Sequence, residues 1–167
     1  MFSLNNIPQL LLSVVATFVA LCVHEYAHAF AAYKLGDDTA EKRGRLSLNP
    51  LNHIDPIGAI SMILFRFGWA KPVPIDPRNF KKPKRDFAIV ALSGPLSNII
   101  LAFISTLLFL VFYKLLPGAP SGTFNFSVLY YTCLFFSIFS SLNVGLGVFN
   151  LIPLPPFDGS RILNVFW

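Results

Sequence analysis

Three long apolar stretches, at residues 7–33, 87–113 and 126–152, limit what this chain can fold into. Each exceeds the roughly 20 apolar residues that a helix needs to cross a bilayer core, and Glu25 is the only carboxylate or Lys/Arg side chain within them. The first stretch is also too long for the apolar region of a secretory signal. We therefore predict an all-α membrane protein, with three transmembrane helices in a single domain over residues 1–167.

The basic residues indicate how these helices are oriented. Of the 13 Lys and Arg, 11 lie between Lys34 and Arg85, whereas residues 115–125 carry no charge. Because short loops rich in Lys and Arg stay in the cytoplasm, connection 34–86 is predicted inside and the N-terminus outside. The cluster KKPKR at Lys81–Arg85 precedes the second span, where anionic headgroups of the lipid bilayer are the expected partner. The net charge of +5 therefore does not indicate a nucleic-acid partner.

The cytoplasmic connection is more than a plain loop. Its apolar run 57–65 is too short to span, so it is expected to dip into the interface or to form a short hairpin. Prolines 72, 74 and 77 disfavour helix and suit extended edge pieces. A short β or interfacial segment is therefore predicted between the first and second spans.

The sequence HEYAH, residues 24–28, places two histidines and a glutamate inside the first apolar stretch. On a helix, His24 and His28 project from one face and can bind a single ion. Glu25 can then take a proton from a water on that ion. A polar network between helices is the alternative, but ionisable residues within a span are functional by default. The motif thus predicts a metal site with Glu25 as a base.

A catalytic zinc site usually takes three protein ligands, so another segment is expected to supply the third. Asp158 lies near the end of NLIPLPPFDG, residues 150–159, whose prolines must break the third helix near Pro153. A non-helical backbone at membrane depth is tolerated only where protein buries it or where it lines a polar cavity, so this segment indicates a site. A surface aspartate that pairs with Arg161 or caps a short helix is the alternative.

Depth in the membrane favours Asp158 as the ligand. At ~1.5 Å per residue, His28 and His24 lie about 9 and 15 Å from the cytoplasmic end of their span. SGPLSN, residues 93–98, lies about 10 to 18 Å deep in the second span by the same rise. Because the third span runs inward toward Asp158, all three motifs are expected to meet in the cytoplasmic half of the membrane.

HEYAH, SGPLSN and NLIPLPPFDG lie in this order on three successive spans, with RLSLNPLNHIDPIG and GWAKPVPIDPRNF between the first two. In this combination the chain resembles the site-2 protease family of intramembrane zinc metalloproteases, in particular the compact prokaryotic type without a PDZ domain. The likeness covers nearly the whole chain. It implies one zinc ion bound by His24, His28 and Asp158, a water activated by Glu25, and two asparagines beside the site, Asn98 and Asn150.

Four residues have predicted roles other than binding zinc or activating water. Asn98 is a candidate donor to the scissile carbonyl or its developing oxyanion, with hydrogen bonding between helices as an equal alternative. Asn150 is a candidate to hold the broken loop or a metal ligand in place. Gly94 is expected to allow close helix packing. His53, in NPLNHIDP, is interpreted as structural, with an extra metal ligand in a closed state as the alternative.

The resemblance implies zinc-dependent hydrolysis of peptide bonds in or near transmembrane segments, in a prokaryotic cell membrane. The substrate would be a membrane-spanning protein, and a second copy of the chain or a regulatory membrane protein are further candidate partners. The segment around Val73 and Ile75 is a candidate edge for an unwound substrate strand. A metal transporter or sensor, or a non-catalytic adaptor, is the alternative. The apolar ending at Trp167 predicts a native chain that continues further, so that this one is C-terminally truncated.

Overall fold

The computed structural model describes residues 7–65, 69 and 71–163. In this part of the chain there are three 3₁₀ turns, at Pro50–Asn52, Pro77–Asn79 and Leu116–Gly118, and six α-helices: α1 (Ile7–Lys34), α2 (Thr39–Lys42), α3 (Pro56–Phe65), α4 (Pro83–Leu115), α5 (Phe124–Asn150) and α6 (Asp158–Leu163). The chain end at Trp167, on which the predicted continuation depends, lies outside the described residues.

Three of these helices are long and apolar enough to cross a membrane: Ile7–Lys34, the continuous stretch Pro83–Gly118, and Phe124–Asn150. They confirm the three predicted spans, although the second begins and ends several residues beyond its predicted bounds. Large apolar side chains on their outer faces, among them Leu11 and Phe103, are more than half exposed. Such surfaces suit contact with lipid, and the protein is therefore an integral membrane protein.

The three long helices pack against one another through small residues. Ala16 and Ala20 of α1 are fully buried against Phe139 of α5. On α5, a Cβ added to Gly147 would lie 3.3 Å from the carbonyl oxygen of Pro95 in α4. Small residues let helix backbones approach closely in a membrane, where apolar burial alone does not drive association. This close approach brings polar groups of all three helices within hydrogen-bonding distance.

The predicted short β segment is not confirmed, since the described part of the connection contains an isolated bridge residue, Ile54, but no strand. The apolar run 57–65 instead belongs to helix α3. That helix begins at Pro56, and proline suits this position because the first N–H groups of a helix have no partner within it. The side chain of Asp55 accepts a hydrogen bond from the N–H of Gly58 at 2.9 Å and so caps the helix. The prediction missed these two helix-start signals.

Residues 71–76 are not helical, as their prolines predicted, and Val73 packs against Ala29 in the C-terminal half of α1. Arg45 donates to the carbonyl oxygens of Lys71 and Pro72 at the start of this segment. At its end, the N–H of Asp76 donates to the carboxylate of Asp37 at 2.8 Å. Segment 71–76 is thus held at both ends.

The carboxylate of Asp37, directly after the left-handed Gly36 (φ 107°), is the centre of this attachment. It is fully buried and also accepts hydrogen bonds from Thr39 and from the side chain of Asn79 at 2.8 Å. Burial by itself would raise the pKa of Asp37, but these hydrogen bonds and that from Asp76 outweigh it and lower the pKa. The turn after α1 is therefore tied to the chain that leads into α4.

The chain after α5 turns back toward the bundle. Helix α5 ends at Asn150, close to the break predicted at Pro153, and α6 begins at Asp158 and packs on α4. A Cβ added to Gly159 would lie 2.5 Å from the carbonyl oxygen of Ile152, so this return needs a glycine. The turn thus delivers Asp158 to the interior.

Candidate metal centre

Three side chains predicted to bind zinc meet inside the bundle. His24 and His28 lie one turn apart on α1, and Asp158 comes from the first turn of α6. Asp158 Oδ2 lies 3.2 Å from Nε2 of His24 and 3.1 Å from Nε2 of His28, and the two Nε2 atoms are 3.0 Å apart. All three residues are at most 6% exposed. The structure therefore gathers one potential ligand atom from each of them at a single point.

A backbone carbonyl group of α4 orients the ring of His28. Its Nδ1 lies 2.7 Å from the carbonyl oxygen of Val90. Because a carbonyl oxygen only accepts, Nδ1 carries the hydrogen, and in the neutral ring Nε2 keeps its lone pair. His28 therefore presents an unprotonated Nε2 to the convergence point.

The ring of His24 is oriented by Asn98, also on α4. Nδ1 of His24 lies 2.6 Å from Oδ1 of Asn98, while the amide nitrogen of Asn98 donates to Asn143 Oδ1 at 2.7 Å and approaches the carbonyl oxygen of Ala20 at 3.4 Å. With its nitrogen facing acceptors, Asn98 presents its oxygen to His24. Nδ1 of His24 then carries the hydrogen, so that Nε2 is again left with a lone pair.

The residues present fit a zinc ion. Two nitrogens and a carboxylate oxygen face one another at 3.0 to 3.2 Å, an arrangement that is repulsive unless a proton or a metal cation lies among them. These separations approach the about 3.3 Å edge of a tetrahedron whose metal–ligand distances are about 2.0 Å. Two imidazoles and one carboxylate are also a ligand set of catalytic zinc, which keeps a fourth position open.

Gly94 provides the room for both rings. A Cβ at this position would lie 2.7 Å from Cε1 of His24 and closer still to the ring of His28. The expected close helix packing at Gly94 therefore takes place against the two histidines. Any larger side chain would displace the imidazoles from their present positions.

Glu25 lies beside the cluster on α1 and contacts segment 71–76. Its Oε2 accepts a hydrogen bond from the backbone N–H of Val73 at 3.0 Å. The side chain is partly buried. Segment 71–76 therefore borders the glutamate that follows the first histidine.

The other predicted site residues lie elsewhere or have other partners. The amide of Asn98 makes the interhelical hydrogen bonds described above, so its oxyanion role stays a prediction. The amide nitrogen of Asn150 donates within α5, to the carbonyl oxygen of Leu146 at 2.9 Å. His53 is 2% exposed, and its Nε2 donates to the carbonyl oxygen of Ser47 at 2.6 Å. His53 does not belong to the three-residue cluster, and the role of Asn150 in holding the loop or a ligand stays a prediction.

The sequence interpretation missed three contributors to this site: the carbonyl of Val90, the N–H of Val73 and the side chain of Asn143. The first two are backbone groups, whose partners no sequence motif indicates. Asn143 did leave a signal, because an amide inside an apolar span is itself expensive and is usually hydrogen-bonded.

Curated relatives resemble the chain over most of its length. YwhC of Bacillus subtilis (strain 168), named as a candidate zinc metalloprotease, is 43% identical over 167 residues, which is 98% of this chain and 71% of YwhC. Rip2 of Mycolicibacterium smegmatis, with the same description, is 30% identical over 165 residues, or 96% of this chain and 59% of Rip2.

An archaeal relative aligns with a shorter part. MJ0611 of Methanocaldococcus jannaschii, also named as a candidate zinc metalloprotease, is 41% identical over 76 residues, or 45% of this chain and 32% of MJ0611. No family model matches the chain, and no solved structure matches it.

Proposed function

This chain belongs to the family of candidate zinc metalloproteases that includes YwhC and Rip2, and from that premise we propose that it is an intramembrane zinc metalloprotease of the site-2 type. It would hydrolyse peptide bonds in or near the transmembrane segments of membrane proteins. One observation carries this proposal: His24, His28 and Asp158 converge, buried, within a bundle of helices long and apolar enough to span a membrane. A protease site at this place acts on segments that lie in the bilayer.

The division of labour follows from the side chains. His24, His28 and Asp158 would hold the zinc, which in such a site lowers the pKa of a coordinated water to about 7 and polarises a carbonyl. The carboxylate of Glu25 takes a proton from the attacking water and passes it to the nitrogen of the leaving amine. The peptide bond is replaced by a carboxylic acid and an amine, with one water consumed.

Segment 71–76 is a candidate to hold the substrate. A helical substrate must unwind locally, because its own hydrogen bonds shield the scissile carbonyl. Among the described residues, the N–H of Ile75 and the carbonyl of Val73 form no hydrogen bond within the protein. These groups are available for pairing with an extended strand beside Glu25.

The orientation and partners are part of the same proposal. With 11 of its 13 Lys and Arg between Lys34 and Arg85, connection 34–86 would lie in the cytoplasm and the N-terminus outside. Lys81–Arg85 would contact anionic headgroups. A second copy of the chain or a regulatory membrane protein remains a candidate partner.

The orientation is tested by labelling single-cysteine variants at Lys82 and at Ser121 in intact cells with a membrane-impermeant thiol reagent. Only the variant at Ser121 should react, and the reverse pattern would invert the orientation.

Cleavage of a membrane-spanning reporter in proteoliposomes tests the activity. Wild-type protein loaded with zinc should cleave the reporter, and Glu25→Gln should retain zinc, keep an oxygen that accepts from Val73, and lose cleavage. Unchanged cleavage in Glu25→Gln would remove Glu25 from its role. A transporter predicts zinc flux into the vesicles that Glu25→Gln leaves intact, so flux without cleavage in the wild type would replace the protease proposal.

A further inference from the structure

Asn143, in the middle of α5, forms no hydrogen bond with His24, His28 or Asp158. It is fully buried, as is Asn98 on the facing helix α4. Its amide nitrogen donates to the carbonyl oxygen of Phe139, one turn earlier on its own helix, at 2.8 Å. Its Oδ1 receives the hydrogen bond from the amide nitrogen of Asn98 at 2.7 Å.

The carbonyl of Phe139, at the end farthest from His24, determines which groups donate and which accept in this series of hydrogen bonds. The carbonyl of Phe139 only accepts, so the amide of Asn143 must turn its nitrogen toward it and its oxygen toward Asn98. Asn98 must then offer its nitrogen to Asn143 and its oxygen to His24. The hydrogen of His24 is consequently held on Nδ1.

We propose that Asn143 is a positioning residue for the metal site, which acts through Asn98 to hold the His24 ring with Nε2 unprotonated and directed at His28 and Asp158. The inference rests on the proposed zinc site and deepens it. The ring of His28 is oriented directly by the backbone carbonyl of Val90. The ring of His24 is instead oriented by the side chain of Asn98, which Asn143 holds in place. Without Asn143, the amide of Asn98 is free to turn over and donate to Nδ1, which would move the hydrogen of the ring to Nε2.

Two substitutions separate positioning from mere packing. Asn143→Leu removes both hydrogen bonds at similar volume. In Asn143→Asp, the buried carboxyl is protonated, donates to the Phe139 carbonyl and still accepts from Asn98, so it should restore the arrangement. Ser140→Ala is the matched control, because the Ser140 hydroxyl bonds to Thr106 across the same α4–α5 interface at 2.7 Å without reaching His24.

The first measurement requires no metal. In zinc-free protein labelled with ¹⁵N at histidine, Nδ1 of His24 should be protonated in the wild type, in Asn143→Asp and in Ser140→Ala. Asn143→Leu should show a mixture of the two tautomers. An unchanged His24 signal in folded Asn143→Leu would overturn the inference while leaving the zinc proposal intact.

The second measurement is the zinc dissociation constant by competition with a chelator. We expect Asn143→Leu to weaken zinc binding about 10- to 100-fold and Asn143→Asp and Ser140→Ala to change it about twofold or less. If Asn143 acts through Asn98, the double variant Asn98→Leu/Asn143→Leu should bind zinc no more weakly than Asn98→Leu alone. Additive losses would overturn the inference, and absence of zinc binding in the wild type would instead overturn the proposed function on which it rests.

Discussion

Oε2 of Glu25 and the backbone nitrogen of Val73 are 3.0 Å apart, although 48 residues separate them in the chain. The side chain of Val73 is buried against Ala29 of α1. Hydrogen bonds with Arg45 and Asp37 hold the two ends of segment 71–76. The glutamate proposed as the base is thus oriented by a fixed backbone donor.

Removing that donor should slow proteolysis and leave zinc bound. Val73→Pro deletes the N–H, so we expect the kcat for reporter cleavage to fall about tenfold, because the carboxylate loses one of the contacts that orient it. Val73→Ala is the control, since it keeps the N–H and loses only packing. Equal kcat values for these two variants, each with full zinc content, would show that the hydrogen bond does not orient Glu25 for the reaction.

A methyl group at position 94 should damage the metal site. Gly94→Ala places a Cβ 2.7 Å from Cε1 of His24, so zinc binding should weaken about tenfold or more as the rings move. Gly145→Ala in α5 has open space around its Cβ and serves as the control. Chelator competition on both purified variants gives the comparison, and equal zinc affinities would mean that the rings can shift at no cost.

Zinc content should depend on Asp158 and not on the arginine near it. Nη1 of Arg161 lies 3.6 Å from Oδ1 of Asp158, longer than an ordinary hydrogen bond, and the Arg161 side chain is 40% exposed. We expect about one zinc per wild-type chain and per Arg161→Gln chain, and a large loss in Asp158→Ala. Metal analysis of detergent-purified protein checks this. Full zinc content in Asp158→Ala would exclude Asp158 as a ligand.

Acid should loosen the attachment of segment 71–76. Hydrogen bonds from Arg78 lower the pKa of Asp76 to about 2, and those to buried Asp37 also hold its pKa below the ordinary value. Because both folded-state values lie below the unfolded value of about 3.9, their stabilisation is complete above that pH and is lost as pH falls through the folded-state values.

Thermal unfolding in detergent between about pH 6 and pH 2 measures this loss. Asp37→Asn should unfold at a lower temperature than the wild type near pH 6, since it replaces a buried carboxylate that accepts from Thr39, Asn79 and Asp76. Its stability should also decline less on acidification. Parallel declines in the two proteins would show that Asp37 does not cause the acid sensitivity.

Local spacing in the sequence was sufficient for several features. Apolar length predicts the three spanning helices, and the four-residue interval between His24 and His28 predicts their common face, because both depend on helix geometry alone. Helix α3 was missed, although Asp55 and Pro56 are start signals, because its length and apolar composition also fitted an interfacial hairpin. Asp158 as the third member of the cluster was predicted from its context in NLIPLPPFDG and from depth, with an open alternative.

Only the tertiary structure decided how the helices are turned about their axes and how far they are shifted along one another. These two quantities depend on packing between residues far apart in sequence, such as Ala20 against Phe139 and Gly147 against Pro95. They bring Asn98 to His24 across 74 residues and Asp158 to the same histidine across 134. The sequence by itself determined which polar groups lie in the membrane, whereas the packing of α1, α4 and α5 determined which of them meet.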